Sequence, residues 1–207
     1  MIYIVRHGQT GMNVRNVLQG RSDHPLNETG RAQARAARDR FREAGIRFDR
    51  VFASPLLRAF ETAEIIADGV PVETDGRLME FDGGRYEGTS LDDPPEEVRV
   101  FFADLAHAPV PETMEPLPSV VARLGSFLEE RIRGLREGSV LIATHAIAMK
   151  GALEYLTPGS DGSWWGRRIP NCGVCRFRVT EEGFTAPVLL GQDEPIAGGA
   201  EGTELRA

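Results

Sequence analysis

The sequence predicts an α/β fold, a three-layer α/β/α sandwich around a mostly parallel central sheet. Two short, nearly continuous apolar runs, "IYIV" (2–5) and "VLIAT" (140–144), are typical of strands that are buried on both faces. A weaker run of the same kind is "RVFAS" (50–54). Longer segments of helical character lie between these runs, and strands that alternate with helices favour right-handed crossovers and helices on both faces of one sheet.

The helical segments are recognised by their capping residues and by apolar residues at helical spacing. The first, 27–45, begins with capping residues and ends near Gly45. Near the end of the chain, "RFRVTEEGFTAPVLL" (176–190) predicts a hairpin that turns at "EEG". The other predicted helices span 55–69, 95–108, 118–138 and 146–156.

The length of the chain bounds its domain organisation. The 207 residues suit one domain with a sizeable core, which we expect over residues 1–190. Residues 191–207 are rich in glycine and glutamate and poor in large apolar side chains. We therefore expect them to form a flexible C-terminal tail.

The charge of the chain disfavours several classes of partner. Its formal net charge is -7 and its pI about 5.2, and it has no run rich in lysine or arginine. Binding to nucleic acid depends on neutralising phosphates, so neither nucleic acid nor an anionic membrane surface is expected as a partner. "MIYIV" is too short for a signal-peptide core, and no stretch approaches the roughly 20 apolar residues of a membrane span. We expect a cytoplasmic protein, and its oligomeric state cannot be predicted from the sequence.

Cationic and imidazole side chains follow the predicted strands at the point where each strand ends. Arg6 and His7 follow the first run, and His145 follows "VLIAT". Arg58 lies about one turn into a helix that is expected to begin no later than Pro55. Since ligands bind at the carboxyl ends of the strands in open α/β sheets, these side chains are expected to form one positive site. Such a site, with the amino end of a helix beside it, predicts a small anionic ligand, and phosphate first.

These residues belong to a longer pattern along the chain. "VRHGQT" (5–10) resembles the signature of the histidine phosphatase superfamily, which includes the cofactor-dependent phosphoglycerate mutases. Further blocks are similar to that family in the same order, and the resemblance implies a phosphoglycerate mutase-like fold. The blocks are "LQGRSDHPLNETGRAQA" (18–34), "FASPLLRAFETAEII" (52–66), "LMEFDGGRYEG" (78–88), "VLIATHAIAMKGAL" (140–153) and "IPNCGVCRFRV" (169–179).

The resemblance also implies a role for each matching residue. His7 would be the nucleophile that accepts the phosphoryl group, and Glu80 would be the proton donor. The implied catalytic residues are Arg6, His7, Arg58, Glu80 and His145. The implied phosphate-binding and pocket-lining residues are Arg6, Asn13, Gln19, Arg58 and His145. The chemistry is sensible, because neutral imidazole is a nucleophile and the planar fork of arginine grips two phosphoryl oxygens at once.

Three positions leave alternatives open. Asp82 lies close to Glu80 in the sequence and competes with it for the role of proton donor. Ala146 stands where the family usually has glycine, which adds a Cβ atom near the expected substrate. Arg167 and Arg168 would either bind a second anionic group or form a solvated pair, and the solvated pair is the favoured interpretation.

The predicted activity is that of a metal-independent phosphomonoesterase that hydrolyses a small phosphorylated metabolite through a phosphohistidine. No metal and no cofactor are expected, since no metal-ligand pattern occurs and two cysteines alone cannot build a structural zinc site. The short chain favours a phosphatase, because the mutases of the family tend to carry inserted segments that shield the intermediate from water. A phosphoglycerate mutase is the alternative. A module that binds a phosphorylated ligand without turnover is less favoured.

Overall fold

A six-stranded mixed sheet lies at the centre of the computed structural model, which describes residues 1–191, 194 and 196. The strands are β1 (Ile2–Arg6), β2 (Arg50–Ala53), β3 (Val72–Thr74), β4 (Val140–Thr144), β5 (Val174–Phe177) and β6 (Val188–Leu190). Their order is β3-β2-β4-β1-β5-β6, with β3, β2, β4 and β1 parallel and β5 antiparallel to both of its neighbours. The predicted mostly parallel sheet is confirmed, and the two strongest apolar runs are its two central strands.

Helices cover both faces of the sheet. They are α1 (Gly11–Val14), α2 (Glu28–Glu43), α3 (Leu57–Ala67), α4 (Glu96–Ala103), α5 (Leu117–Phe127) and α6 (Ala146–Leu156). Short 3₁₀ turns span Gly76–Leu78 and Gly84–Tyr86, and α5 continues as a π-helical segment, Leu128–Ile132. In the part of the chain that the structure describes, no helix is both long enough and apolar enough to cross a membrane.

The strands alternate between two hydrophobic cores, one on each face of the sheet. Ile2 and Ile4 of β1 pack into the core that is covered by α4, α5 and α6. Tyr3 and Val5 pack into the core that is covered by α2 and α3. All four of these side chains are buried. Because both faces are covered, β1 needs apolar residues at every position, which explains the continuous run in the sequence.

Three predicted helices are shorter than the sequence pattern suggests. The helix expected over 118–138 ends with the π-helical segment at Ile132. The helix expected over 55–69 begins at Leu57, because the Ser54 N–H still donates to the Ala143 carbonyl at 3.0 Å and keeps the chain in the sheet at that point. The helix expected over 95–108 ends at Ala103, and Asp104 leaves the helical region with φ -148° and ψ 79°. Element boundaries depend on such contacts, which the periodicity does not contain.

The last described elements form the predicted hairpin. β5 and β6 pair in antiparallel orientation, and the Thr180 N–H donates to the Gly183 carbonyl at 2.7 Å at the turn. The tail predicted over 191–207 lies for most of its length outside the described residues. Of its described residues, Ile196 is buried against the core beside α2, and Arg176 Nη1 donates to its carbonyl at 2.8 Å. The division at residue 190 stays a prediction.

Two glycines allow the loop after β1 to lie directly against the start of α2. A Cβ atom at Gly8 would lie 2.5 Å from the Gly30 carbonyl oxygen, and one at Gly30 would lie closer still to the Gln9 carbonyl oxygen. Both obstacles are backbone atoms that cannot rotate away. The packing of α2 therefore fixes the position of the loop that begins with His7.

We expect Gly30→Ala to lower the free energy of unfolding by about 1–3 kcal/mol, since the new methyl group must push the 7–9 loop away from α2. Gly134→Ala is the matched control, because a Cβ atom there meets nothing within 4 Å. Urea unfolding of both variants checks this prediction. Equal stabilities for the two variants would show that the close approach does not constrain the loop.

Candidate active site

The carboxyl ends of β1, β4 and β2 lie side by side, with β4 in the middle. Arg6 pairs with Thr144 across the two central strands, and the His7 N–H donates to the Thr144 carbonyl at 2.9 Å. His145 follows directly after β4, and its ring centroid lies 5.2 Å from that of His7. The structure thus brings His7 and His145 together at one edge of the sheet, where the sequence pattern predicts a site.

His7 is held in one tautomer by its own loop. Its side chain is 3% exposed, and its Nδ1 atom lies 2.7 Å from the Gly8 carbonyl oxygen. A carbonyl only accepts hydrogen bonds, so Nδ1 carries the proton and Nε2 keeps its lone pair. Burial lowers the pKa of His7 well below its usual value, and the charges of Arg6 and Arg58 lower it further. The ring is therefore neutral at pH 7 with Nε2 available as a nucleophile.

The two arginines are held by backbone carbonyls rather than by carboxylates. Arg6 Nη1 donates to the Ile169 carbonyl at 2.6 Å. Arg58, which is 1% exposed, donates from Nη1 to the Ser22 carbonyl at 2.8 Å and from Nη2 to the Gly20 carbonyl at 2.7 Å. The Nε atoms of both arginines are buried without a hydrogen-bond partner among the described residues. Burial lowers the pKa of both groups, but guanidinium keeps its charge at neutral pH. Their charge and their Nε–H donors thus remain available to an anion.

His145 presents a third buried nitrogen atom without a partner. It is fully buried, with Nε2 2.8 Å from Ser54 Oγ. Ser54 Oγ accepts the Leu56 N–H at 3.3 Å, and its hydroxyl is able both to donate to His145 Nε2 and to accept from it, according to the tautomer of the ring. Nδ1 of His145 has no hydrogen-bond partner in the described part of the chain. Burial, followed by the charges of Arg58 and His7, lowers the pKa of His145 well below its usual value.

Glu80 reaches the same site from the loop between β3 and α4. Its carboxylate accepts the Phe81 N–H at 3.0 Å and two N–H groups of the first turn of α6, from Ile147 at 3.3 Å and Ala148 at 2.9 Å. The side chain is 8% exposed. Its charge acts on both site arginines, opposing the effect of burial on their pKa values. Glu80 therefore lies close to Arg6 and Arg58.

Asp82, the other candidate for the proton donor, contacts Arg21 and Gly84 and not the residues of the site. Its Oδ2 atom lies 3.4 Å from Arg21 Nη1, and its Oδ1 atom accepts the Gly84 N–H at 2.8 Å. The side chain is 42% exposed. The geometry favours Glu80 over Asp82 as the acid of this site.

Asn13 and Gln19 lie beside the site in a network around Thr10. Asn13 Oδ1 accepts the Thr10 N–H at 3.0 Å, and Thr10 Oγ1 accepts the Asn13 N–H at 3.1 Å, which caps α1. Thr10 Oγ1 also lies 2.9 Å from Gln19 Oε1 and donates to it. The amide oxygens of both residues are thus occupied, so each would contact an anion only through its NH₂ group. Their predicted roles stay predictions.

Two supporting residues were not predicted from the sequence. Thr62 Oγ1 accepts the Gly8 N–H at 3.0 Å and donates to the Arg58 carbonyl at 2.6 Å, so it joins the nucleophile loop to α3. Asn171 Nδ2 donates to the His7 carbonyl at 3.0 Å. The spacing of Thr62 four residues after Arg58 on one helix was the available signal.

The amino end of α3 does not offer the free anion-binding position that the sequence predicts. The first turn of α3 was expected to attract the anion, but the Leu57 N–H donates to the Asp23 carboxylate at 2.7 Å. A side chain of the protein itself therefore occupies this helix end. Ala146, where glycine is usual in the family, is the first residue of α6 and has ordinary φ, so its Cβ atom requires no strained backbone.

The described residues do not form a metal site. Within residues 1–191, 194 and 196, no three His, Cys, Asp or Glu side chains converge as a metal site would require. Cys172 and Cys175 are buried free thiols, and burial raises the pKa of Cys172 to about 12.

Comparison with known proteins finds one family over nearly the whole chain. A family model described as histidine phosphatase superfamily (branch 1) matches residues 2–190. Over 198 residues the chain is 35% identical to a Citrobacter koseri protein named probable phosphoglycerate mutase GpmB, covering 90% of this chain and 88% of that protein. The structure of Bacillus stearothermophilus YhfR has a TM-score of 0.80 at 26% identity, covering 89% of this chain and 94% of that one. A phosphoserine phosphatase of Entamoeba histolytica, solved with phosphoserine, shares the fold, with a TM-score of 0.77 at 21% identity, covering 92% and 94%.

The buried neutral histidines predict a pH-dependent stability. A lowered folded-state pKa means that the unfolded chain binds protons first, so stability is complete above about pH 6.5 and falls below it. We expect the free energy of unfolding to drop between pH 7 and 5.5 by about 1 kcal/mol for each of His7 and His145. His7→Gln should roughly halve this drop, whereas His107→Gln, an exposed position, should leave it unchanged. Urea titrations at the two pH values measure it, and a flat wild-type profile would contradict the neutral, buried pair.

Proposed function

The chain belongs to branch 1 of the histidine phosphatase superfamily, and from this membership we propose that it is a phosphomonoesterase that hydrolyses a small phosphorylated metabolite through a phosphohistidine at His7. One observation carries the proposal. The His7 ring has its lone pair on Nε2, in a site with three buried nitrogen atoms, Arg6 Nε, Arg58 Nε and His145 Nδ1, that lack partners in the described chain. A nucleophile among unpaired cationic donors suits phosphoryl transfer.

In the first step, His7 Nε2 forms a bond to phosphorus while the ester P–O bond breaks. Negative charge is spread over the three equatorial oxygens, where Arg6, Arg58 and His145 donate hydrogen bonds. These donors are already desolvated and fixed, so no reorganisation is needed as the charge develops. Glu80, which first takes the proton of the phosphate ester bound as its monoanion, gives that proton to the leaving oxygen, which departs as an alcohol.

In the second step, water attacks the phosphorus atom and the P–N bond to His7 breaks. Glu80, now a carboxylate, accepts a proton from the attacking water, and inorganic phosphate leaves. The Nδ1–H bond to the Gly8 carbonyl persists throughout, so His7 returns to the tautomer in which it began. No step uses a metal ion, and metal independence is part of the proposal.

A phosphoglycerate mutase remains the second candidate, supported by the name of the relative that is 35% identical. A mutase returns the phosphoryl group to substrate, whereas a phosphatase gives it to water. Interconversion of 2- and 3-phosphoglycerate, measured beside release of phosphate, separates the two activities. Efficient interconversion without release would replace the phosphatase proposal.

The central test is phosphate release from p-nitrophenyl phosphate in the presence of a chelator. Wild type should retain its activity, and an alkaline rapid quench should trap one phosphohistidine per chain. His7→Ala should abolish both signals, while His107→Ala, which changes an exposed histidine, should abolish neither. Activity that persists in His7→Ala, or that the chelator removes, would overturn the mechanism.

Glu80→Gln should slow phosphorylation of His7 by an alkyl phosphate about 10²–10⁴-fold, because the alkoxide then leaves without a proton. The effect should be much smaller with p-nitrophenyl phosphate, whose leaving group is a stable anion. Asp82→Asn is the matched control and should change neither rate more than a few-fold. Single-turnover release of the alcohol or of p-nitrophenol measures the rate of His7 phosphorylation for each variant with each ester. An equal loss of rate in Glu80→Gln and Asp82→Asn would exclude Glu80 as the proton donor. An equal loss of rate for Glu80→Gln with both esters would exclude it as well.

A further inference from the structure

Lys150 is the only lysine in the sequence, and every other residue of the Lys+Arg total of 24 is an arginine. It lies in the middle of α6, one turn after Ile147, whose N–H group donates to Glu80. The ammonium group is partly buried and donates one hydrogen bond, to the Trp165 carbonyl at 2.6 Å. A chain that otherwise uses arginine thus has a compact, three-donor cation next to its candidate active site.

A cavity of about 540 Å³ opens at Lys150. Ile147 lines it as well, so it adjoins the side of the site where Glu80 lies. Arg167 and Arg168 line it from the loop after α6. The volume lies within the range of pockets that hold small molecules. The residues of the phosphoryl site do not line this cavity, which adjoins them through Ile147 and Lys150 of α6.

The cationic side chains that line this cavity keep charge and hydrogen-bond donors for a ligand. Lys150, Arg167 and Arg168 form no ion pair with any carboxylate in the described part of the chain, and Lys150 uses one of its three donors. Asp104 and Asp161 also line the cavity, but Asp104 accepts a hydrogen bond from His107, at 3.0 Å. Arg167 lies over the Trp164 ring, 5.0 Å from its centroid, which leaves Arg168 as the freer arginine.

The electrostatics connect this cavity with the phosphoryl site. Burial lowers the pKa of Lys150, the charge of Glu80 opposes that effect, and the charge of Arg6 adds to it. The charge of Arg168 in turn contributes to lowering the pKa of Arg6. Lys150 and Arg168 are therefore near enough to interact with the residues that would hold the phosphoryl group.

We propose that Lys150 and Arg168 form a subsite for a second anionic group of the substrate. The substrate class is then a phosphomonoester that carries a carboxylate or a second phosphate in addition to the phosphoryl group at His7. This inference rests on the proposed function, because it requires the phosphoryl group to occupy the site at His7. For Arg168 it replaces the solvated pair that the sequence favoured.

Matched substrates test the subsite. 3-Phosphoglycerate and glycerol 3-phosphate differ by a carboxylate in place of a hydroxymethyl group, and propane-1,3-diyl bisphosphate and 3-hydroxypropyl phosphate differ by a second phosphate. In wild type, kcat/KM for the member with the anionic tail should exceed that of its partner about tenfold or more in at least one pair. Lys150→Met should remove most of this preference, and Lys150→Arg should retain part of it. The pair that shows the preference identifies the second group.

Arg168→Gln provides a second variant at an exposed position, where folding is not at risk, and should reduce the same ratio several-fold. Arg35→Gln, at an exposed position on α2, is its control and should leave the ratio unchanged. A wild-type enzyme that hydrolyses the esters without any preference would overturn the subsite. A preference that survives in both Lys150→Met and Arg168→Gln would do the same.

A binding measurement separates this inference from the proposed function. Reductive ¹³C-methylation of the His7→Ala protein labels Lys150 and the chain's amino terminus, and methylation keeps the charge. The Lys150 signal should shift on titration with 3-phosphoglycerate or the bisphosphate, and much less with the matched esters whose tails are uncharged. Such shifts together with no hydrolysis by wild type would reject the phosphatase and retain the subsite. Equal shifts with both members of each pair would reject the subsite, whatever the activity.

Discussion

The structure buries the Arg58 guanidinium, and the Nε atom of Arg6 near it, without a carboxylate in direct contact. Removing a cation from water costs several kcal/mol unless other groups replace the solvent. Backbone carbonyls of the 20–22 loop and of Ile169 do so here. Carbonyls stabilise the cations without neutralising them, so the positive charge remains for an incoming anion. The loops around the site must keep these carbonyls in place.

Glu87 holds the loop that stabilises Arg58. Its carboxylate accepts the N–H groups of Arg21 at 2.7 Å, Ser22 at 2.8 Å and Gly83 at 3.1 Å. Gly20 has φ +52°, and a Cβ atom there would collide with the Glu87 side chain. Glu87, which is not one of the predicted site residues, thus sets the position of the carbonyls that bind Arg58. These hydrogen bonds join the loop before α2 to the segment that carries Glu80.

The sequence predicts the sheet and the polar residues at its edge because both follow from local patterns. "IYIV" and "VLIAT" mark the central strands, and the residues after them must lie at one edge whatever the helices do. The free donor atoms are not predictable in this way. That Nε of Arg6 is unpaired, or that Asp23 occupies the amino end of α3, depends on contacts between distant segments. The cavity at Lys150 could not be predicted from the sequence either, since its walls come from α6 and from loops far apart in the sequence.

The proposed chemistry depends on the Gly8 carbonyl, which holds His7 with its lone pair on Nε2, in a site that keeps the ring neutral. The most direct measurement is long-range ¹H–¹⁵N correlation NMR of the histidine rings at pH 7, with His7→Gln used to assign the His7 signals. We expect a neutral His7 ring with the proton on Nδ1, persisting below pH 6.5. An Nε2–H tautomer, or an imidazolium at pH 7, would contradict this, because Nε2 would then have no lone pair with which to attack phosphorus.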